Sequence, residues 1–179
     1  MAIVLTGEDL TTAKVMRIAR LREAIELSPE GLQRAAHCRE FLDRSLEADE
    51  RMYGVNTGIG ELSEVVLPPE QLRDFQRYLI YSHAAGYGEP LPEEVVRAAW
   101  TSRLNLLMKG YSGCRVEIPQ KMAEILNAGV TPVVCSRGSV GACGDLSPMA
   151  QAALVLLGEG EAFLSRTRAA WAKIGRAHV

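Results

Sequence analysis

Residues 138–150 read Gly-Ser-Val-Gly-Ala-Cys-Gly-Asp-Leu-Ser-Pro-Met-Ala, and this stretch decides how the rest of the chain is interpreted. Its first eight residues include three glycines, which is typical of unusual backbone angles or close backbone approach. Its second half has the composition of a helix start, and a helix is expected from about Leu146 to Leu157, closed by Gly158. The stretch therefore predicts a bent loop that runs directly into a helix.

A second glycine-rich loop spans residues 53–60 and reads Tyr-Gly-Val-Asn-Thr-Gly-Ile-Gly. Within it, Asn56 and Thr57 are interpreted as loop formers, because both residue types readily bond nearby backbone. Neither loop suits a nucleotide. Residues 138–145 lack the lysine of a phosphate loop, and Asp145 at the helix entrance would repel phosphate. The dinucleotide-binding fingerprint fails as well, because no strand precedes Gly58-x-Gly60 within a strand-helix-strand unit.

The remaining chain is predicted to be mainly α-helical, with a few short strands. Ser28-Pro29 is typical of a helix start, with serine as N-cap and proline in the first turn. Apolar spacing predicts helices over about 8–21, 29–50, from 69 onwards, 92–109, 118–127 and 146–157. Strand signals occur at 2–5, 24–27 and 161–164.

Composition excludes several classes of protein. The chain has 179 residues, 47% of them hydrophobic, which predicts one globular domain with its own core. Twenty basic and 22 acidic residues give a net charge of −2, so no basic excess favours nucleic acid or a membrane surface. The start of the chain lacks the features of a signal peptide, and a cytoplasmic protein with reduced thiols is expected. No metal site is expected, because the usual ligand spacings are missing among His37, His83, His178, Cys38, Cys114, Cys135 and Cys143.

Cys143 is the residue whose chemistry is most open. The following helix N-terminus would favour a nucleophilic thiolate with a distant histidine partner, but a small buried cysteine fits equally well. A third chemistry fits the local sequence better, because Ala142-Cys143-Gly144 has small residues beside a β-heteroatom. In a tightly bent backbone, the amide nitrogen of Gly144 can attack the carbonyl carbon of Ala142. Loss of water, and then of the β-substituent of residue 143, would leave a conjugated methylidene ring.

The stretch at 138–150 resembles the signature of the histidine/phenylalanine ammonia-lyase family, which builds 4-methylideneimidazol-5-one (MIO) from Ala-Ser-Gly. Further segments agree in the family's order, and the resemblance runs from about Leu5 to Phe163. These segments are residues 53–60, Ser-His-Ala-Ala-Gly at 82–86, Arg-Leu-Asn at 103–105 and Lys-Gly-Tyr-Ser-Gly at 109–113.

The resemblance implies a function and a role for each matching residue. It implies elimination of ammonia from histidine or an aromatic amino acid, with histidine first and tyrosine second, in a homotetramer that needs no metal or nucleotide. The implied roles are ring formation by Ala142, Cys143 and Gly144, help in that formation by Asp145, acid–base catalysis by Tyr53, and substrate binding by His83, Ser82 and Gly60. A MIO-dependent aromatic aminomutase, or a helical domain that never forms the ring, are the alternatives.

Two residues depart from the family's pattern. Cys143 stands where the family usually has serine, and although expulsion of the thiol gives the same methylidene, an unprocessed cysteine would leave a dead or altered enzyme. Gln151 stands where histidine-specific members often carry histidine, which weakens the assignment of histidine as substrate. Family members are also much longer. Residues 1–163 are therefore expected to be an incomplete N-terminal ammonia-lyase domain, inactive alone, and residues 164–179 a non-native or disordered tail.

Overall fold

The structure is a computed structural model that describes residues 2–141 and 144–164. Two residues of the predicted ring, Ala142 and Cys143, lie outside the described residues, as does all of the predicted tail 164–179 except Leu164. The described chain confirms the mainly α-helical fold with short strands. The elements in chain order are β1 (Ile3–Leu5), α1 (Thr12–Ala19), β2 (Ile25–Leu27), α2 (Pro29–Glu47), a 3₁₀ turn (Gly60–Leu62), α3 (Pro69–His83), β3 (Tyr87–Pro90), α4 (Glu93–Leu107), α5 (Glu117–Asn127), β4 (Val130–Pro132), β5 (Cys135–Arg137), α6 (Leu146–Leu154), a second 3₁₀ turn (Val155–Leu157) and β6 (Ala162–Leu164).

The strands pair two by two. β1 and β2 are parallel, whereas β3 pairs antiparallel with β5, and β4 with β6. The sequence prediction found β1, β2 and β6 but missed β3, β4 and β5. β3 contains Gly88 and Pro90, which are poor strand formers, and its partner lies far along the chain. This strand is stabilised by pairing with β5, and a local sequence pattern cannot predict a partner so far along the chain.

Helix boundaries follow local chemistry. As predicted, α2 begins at Ser28-Pro29, where the Ser28 hydroxyl accepts a hydrogen bond from the Gly31 N–H at 3.0 Å. The predicted helix over 8–21 is shorter in the structure, because the Thr11 side chain caps α1 and accepts a bond from the Lys14 N–H. The last helix ends at Leu154 and continues as a 3₁₀ turn, closed by Gly158 with a φ of +72°.

The hydrophobic core lies around α4. Val96, Trp100 and Leu104 are buried along one side of this helix, and residues of β1, α1, β2 and α5 pack with them in one cluster. A buried cation completes this core. The Arg97 guanidinium donates hydrogen bonds of 3.3 Å to the carbonyls of Ile18 and Leu126, which lie in the last turns of α1 and α5. It therefore satisfies carbonyls at two helix C-termini, where a positive charge is favourable.

Burial of the Arg97 guanidinium disfavours its charged form. Removal from water lowers the pKa of the Arg97 guanidinium to about 10, and the nearby charge of Arg22 acts in the same direction. Glu93 acts in the opposite direction and is ion-paired with Arg22 at 2.9 Å. Arg97 thus remains charged near neutral pH, and the hydrogen bonds it donates offset part of the desolvation.

Candidate active site

Two of the predicted site motifs meet where α3 ends and α6 begins. α3 ends at His83, and the next residues lead into β3, which pairs with β5. β5 leads directly into the loop 138–145 that precedes α6, and α3 also packs against α6. The pairing places Tyr87 opposite Arg137 and so brings the segment Ser82–Gly86 beside the 138–145 loop. Two motifs that are distant in sequence therefore share one junction.

Two glycines make this junction possible. A Cβ atom on Gly86 would lie 2.2 Å from Oε1 of Gln151, and one on Gly138 would lie 2.9 Å from the Cα of Gly86. Gly138 would also bring a Cβ to 2.7 Å from the Ser147 hydroxyl. Real side chains do not tolerate such separations without movement of a neighbour. Glycine at these positions lets the two loops and the first turns of α6 approach closely.

The end of the 138–145 loop is sharply bent. Gly144 has a φ of +73° and Asp145 a φ of +55°, so two consecutive residues adopt the left-handed conformation. The Ser139 hydroxyl donates a hydrogen bond to the Asp145 carboxylate, and the Gly141 N–H donates to the Ser139 oxygen at 3.1 Å. Among the described residues, apart from its chain neighbours, a Cβ on Gly144 would meet no atom within 4 Å, and its left-handed backbone angle favours glycine there.

Tyr53 lies on the other glycine-rich loop, and its side chain is 67% exposed. Buried Asn56 fixes this loop by accepting a bond from the Met52 N–H and donating one to the Glu50 carbonyl, both at 2.8 Å. Buried Thr57 accepts a bond from the Gly54 N–H at 3.1 Å. These contacts agree with the prediction that Asn56 and Thr57 are loop formers.

The Tyr53 hydroxyl is oriented by the backbone of the same loop. Its oxygen accepts a hydrogen bond from the Gly60 N–H at 3.2 Å. A bond donated to this oxygen becomes stronger when the oxygen gains negative charge. The arrangement therefore suits a hydroxyl that gives up and regains a proton. It also gives Gly60, which the sequence assigned to the substrate, a direct contact with Tyr53.

His83 is half-buried at the end of α3. Its Nδ1 lies 2.8 Å from the Leu79 carbonyl and 3.0 Å from the Ser82 hydroxyl, which itself donates to Leu79. Because a carbonyl oxygen can only accept, Nδ1 carries the proton in the neutral ring. Nε2 therefore retains its lone pair, and His83 can accept a hydrogen bond there.

Tyr53 and His83 share α3 as their support but are held at different places along it. The Gln76 side chain donates a hydrogen bond of 2.9 Å to the Gly54 carbonyl and so ties the Tyr53 loop to α3. Gln76 lies seven residues before His83, which corresponds to about 10 Å along a helix. Sequence reasoning missed Gln76 and the bridging role of Gln151, because their partners are backbone atoms of distant segments. It also missed Ser139, whose contacts with Asp145 and Gly141 depend on the fold of the loop itself.

A network of polar side chains also holds α3. The Tyr81 hydroxyl accepts a bond from Arg77 at 2.6 Å and donates one to the Glu159 carboxylate at 2.7 Å. Arg77 also pairs with Glu159, and these two partners raise the pKa of the Arg77 guanidinium. The network joins α3 to the segment that follows the second 3₁₀ turn. Within residues 2–141 and 144–164, no three histidine, cysteine or acidic side chains lie close enough together to hold a metal ion.

This architecture has close counterparts among known proteins. The chain matches the model of the aromatic amino acid lyase family over residues 10–178. The chain belongs to this family. It is 46% identical over 166 residues to a histidine ammonia-lyase of Myxococcus xanthus, covering 93% of this chain and 33% of the relative. It is 47% identical over 156 residues to a tyrosine 2,3-aminomutase of Chondromyces crocatus, covering 87% of this chain and 29% of the relative.

Solved structures give the same result. The crystal structure of histidine ammonia-lyase from Trypanosoma cruzi superimposes with a TM-score of 0.85 at 36% identity, covering 94% of this chain and 32% of that one. The chain therefore has the ammonia-lyase and aminomutase fold and spans about a third of the length of the relatives it matches. Among the described residues, no helix is long and apolar enough to cross a membrane.

Proposed function

We propose that this chain carries part of the active site of an ammonia-lyase that acts on histidine or an aromatic amino acid. One observation carries the proposal. The loop that ends in the left-handed residues Gly144 and Asp145 lies beside the segment Ser82–Gly86, so an electrophile formed in the loop would adjoin His83. The family resemblance and the similarity to histidine ammonia-lyases support the same reaction.

The electrophile would be MIO, formed from Ala142, Cys143 and Gly144 without metal or nucleotide. Once formed, such a group activates the substrate for loss of its amine, which is otherwise a poor leaving group. Gly144 supports ring formation because it has no side chain to hinder its nitrogen, which would attack the Ala142 carbonyl carbon, and its left-handed φ of +73° suits glycine at this position. The Asp145 carboxylate, held by Ser139, is the nearby group proposed to assist.

Tyr53 is proposed as the acid–base residue. Ammonia loss also requires removal of a weakly acidic proton from the substrate's β-carbon. The Tyr53 oxygen takes this proton, and the N–H of Gly60 stabilises the charge that the oxygen carries before the transfer. The 67% exposure of Tyr53 leaves its hydroxyl accessible to a substrate.

The substrate is proposed to be histidine, with tyrosine as the second choice. The pair Ser82-His83 resembles the histidine-type pair of the family. The Nε2 lone pair of His83 matches a substrate whose ring carries a hydrogen-bond donor, such as the imidazole N–H of histidine or the phenol of tyrosine. The phenyl ring of phenylalanine has no such donor and would leave this acceptor without a partner.

An aromatic aminomutase is the second candidate. The observation that favours it is the 47% identity to a tyrosine 2,3-aminomutase, similar to the identity to the histidine ammonia-lyase. An aminomutase would use the same residues and return the amine to the β-carbon. The two candidates therefore differ in their product and not in the residues described above.

Assembly and location are part of the proposal. We expect a homotetramer in the cytoplasm. The apolar side chains exposed along α3 and the adjoining loops support a further interface, and they include Leu62, Val65, Val66, Tyr78, Val140 and Leu146. We also expect residues 1–163 to be inactive alone, because the chain spans about a third of the length of its relatives and the resemblance implies that the carboxylate-binding arginine and further substrate residues lie outside that third. Light scattering of the protein expressed from its complete reading frame measures the assembly, and a monomer would contradict this part of the proposal.

Product analysis tests the proposed reaction. The protein from the complete reading frame is incubated with histidine, tyrosine or phenylalanine, and ammonia, urocanate, coumarate, cinnamate and β-amino acids are measured. Urocanate from histidine is the expected result. Coumarate alone would move the substrate to tyrosine, and β-tyrosine would favour the aminomutase. No product from any of the three amino acids would contradict the proposed function.

A further inference from the structure

Gln151 lies at the junction that the candidate site depends on, although its side chain belongs to none of the proposed catalytic groups. It is half-buried on α6, six residues after Asp145. Its Oε1 accepts a hydrogen bond from the Cys135 N–H at 3.2 Å, and its Nε2 donates one to the Gly86 carbonyl at 3.4 Å. One side chain thus joins the end of the His83 segment, the start of β5 and α6.

The chemistry of this bridge suits a carboxamide. One partner is a backbone donor and the other a backbone acceptor, so the side chain must supply one acceptor and one donor. A carboxylate lacks the donor and an ammonium lacks the acceptor. A neutral carboxamide also adds no charge beside the loop 138–145.

The space around Gly86 is matched to the same side chain. The three atoms nearest to a Cβ on Gly86 all belong to the end of Gln151, at 2.2, 2.7 and 3.0 Å. Gly86 does not have a positive φ, so alanine fits its backbone angle, and the atoms that its methyl group would meet first belong to the Gln151 carboxamide. Gly86 and Gln151 are therefore complementary.

From this geometry we propose that Gln151 is a positioning residue of the site. This inference rests on the proposed function. Gly86 lies three residues after His83, and Cys135 three residues before Gly138. By holding these two backbone segments together, Gln151 fixes the separation between His83 and the loop that contains Gly144. It acts on the reaction through this separation and makes no contact with the reacting atoms.

A double-mutant cycle tests the proposal in the protein from the complete reading frame. The variants are Gln151→Ala, Gly86→Ala and their combination, with Gln120→Ala on the exposed side of α5 as the matched control. In Gly86→Ala the new methyl group displaces the carboxamide, so both single variants lose the same bridge. We expect each to lower kcat about 10–100-fold with KM changed less than about threefold, because small misplacements of reacting groups cost rate. The double variant should be no worse than either single variant.

Amide hydrogen exchange at Cys135 gives a second measurement that requires no turnover. Exchange should be faster in both single variants and unchanged in Gln120→Ala, because the Cys135 N–H loses its acceptor only when the bridge is broken. Three results would each overturn the positioning role. The first is a double variant whose loss of kcat is the product of the two single losses. The others are unchanged amide exchange at Cys135 and single variants with a raised KM but a normal kcat. An inactive wild-type protein would contradict the proposed function instead, and the exchange measurement would still decide whether the bridge exists.

Discussion

α3 and α4 are both fifteen residues long, yet they are used in opposite ways. Within the described chain, α4 buries six residues, including Arg97, Trp100 and Leu104, whereas α3 buries none. The helix that resembles a polar surface element carries His83 and supports the Tyr53 loop. The helix at the centre of the core carries none of the proposed catalytic residues. The comparison separates the part of the molecule that supplies stability from the part that supplies chemistry.

The largest effect is expected at Cys143, on the chemical side of this comparison. Cys143→Ala should abolish activity of the complete protein, because no β-leaving group remains, while Cys143→Ser should retain it. Steady-state assays with histidine measure both. If Cys143 acted as a nucleophile instead, Cys143→Ser should lose most of its activity, because a hydroxyl is far less nucleophilic than a thiolate at neutral pH. Alkylating agents would then inactivate the wild type, whereas an expelled sulfur cannot react.

Tyr53→Phe is expected to have the next largest effect. It removes the hydroxyl that accepts from Gly60 but keeps the ring, so kcat should fall by about 10²–10⁴-fold, the usual contribution of a general acid–base group. The melting temperature should stay within about two degrees of the wild type, because the side chain is largely exposed. A variant with normal kcat would remove Tyr53 from the mechanism.

Leu104→Ala tests the structural side. Leu104 is fully buried in the core beside α5, and its truncation should lower the free energy of unfolding by about 2–5 kcal/mol. Urea unfolding measures this loss. The exposed Leu21→Ala is the matched control and should change stability by less than about 0.5 kcal/mol. Equal losses for both variants would contradict the division between the two regions.

Arg97→Met should have a smaller effect than Leu104→Ala. Methionine fills similar space and is not penalised by desolvation, but it leaves the carbonyls of Ile18 and Leu126 without their donor. We expect a net loss of about 1–2 kcal/mol in the free energy of unfolding at pH 7. Above about pH 10 the unfolded wild type binds more protons than the folded one, because burial lowers the pKa of Arg97 to about 10. The stability of the wild type relative to Arg97→Met should therefore rise over this range, and a fall would contradict the buried charge.

The sequence predicts the elements that local signals define and misses those that depend on contacts between distant segments. Local signals placed the starts of α2 and α3, because the cap at Ser28 and the prolines that open both helices act within one turn. The signature around residues 138–150 identified the family, which the comparisons confirm. The sequence does not predict β3, because its stability depends on pairing with β5 and because Gly88 and Pro90 have a low propensity for strands.

The candidate site was predictable only in part. Tyr53, His83 and Asp145 were assigned from motifs, and their roles stay predictions. The contact between Tyr53 and Gly60 spans seven residues and depends on the turn between them, which no spacing rule gives. The bridge from Gln151 to Gly86 depends on which loops meet across the junction. Such contacts are set by tertiary packing and become visible only in the structure.

The central claim is that the bent loop of this chain becomes its own electrophile, and intact mass tests it most directly. The complete protein should be about 52 Da lighter than its sequence predicts, from loss of water and hydrogen sulfide, whereas cysteine oxidation would raise the mass. Processed wild type and Cys143→Ser should have identical masses, because both end as the same ring, and Cys143→Ala should keep its sequence mass. A folded, active wild-type protein with an unchanged mass would contradict the account.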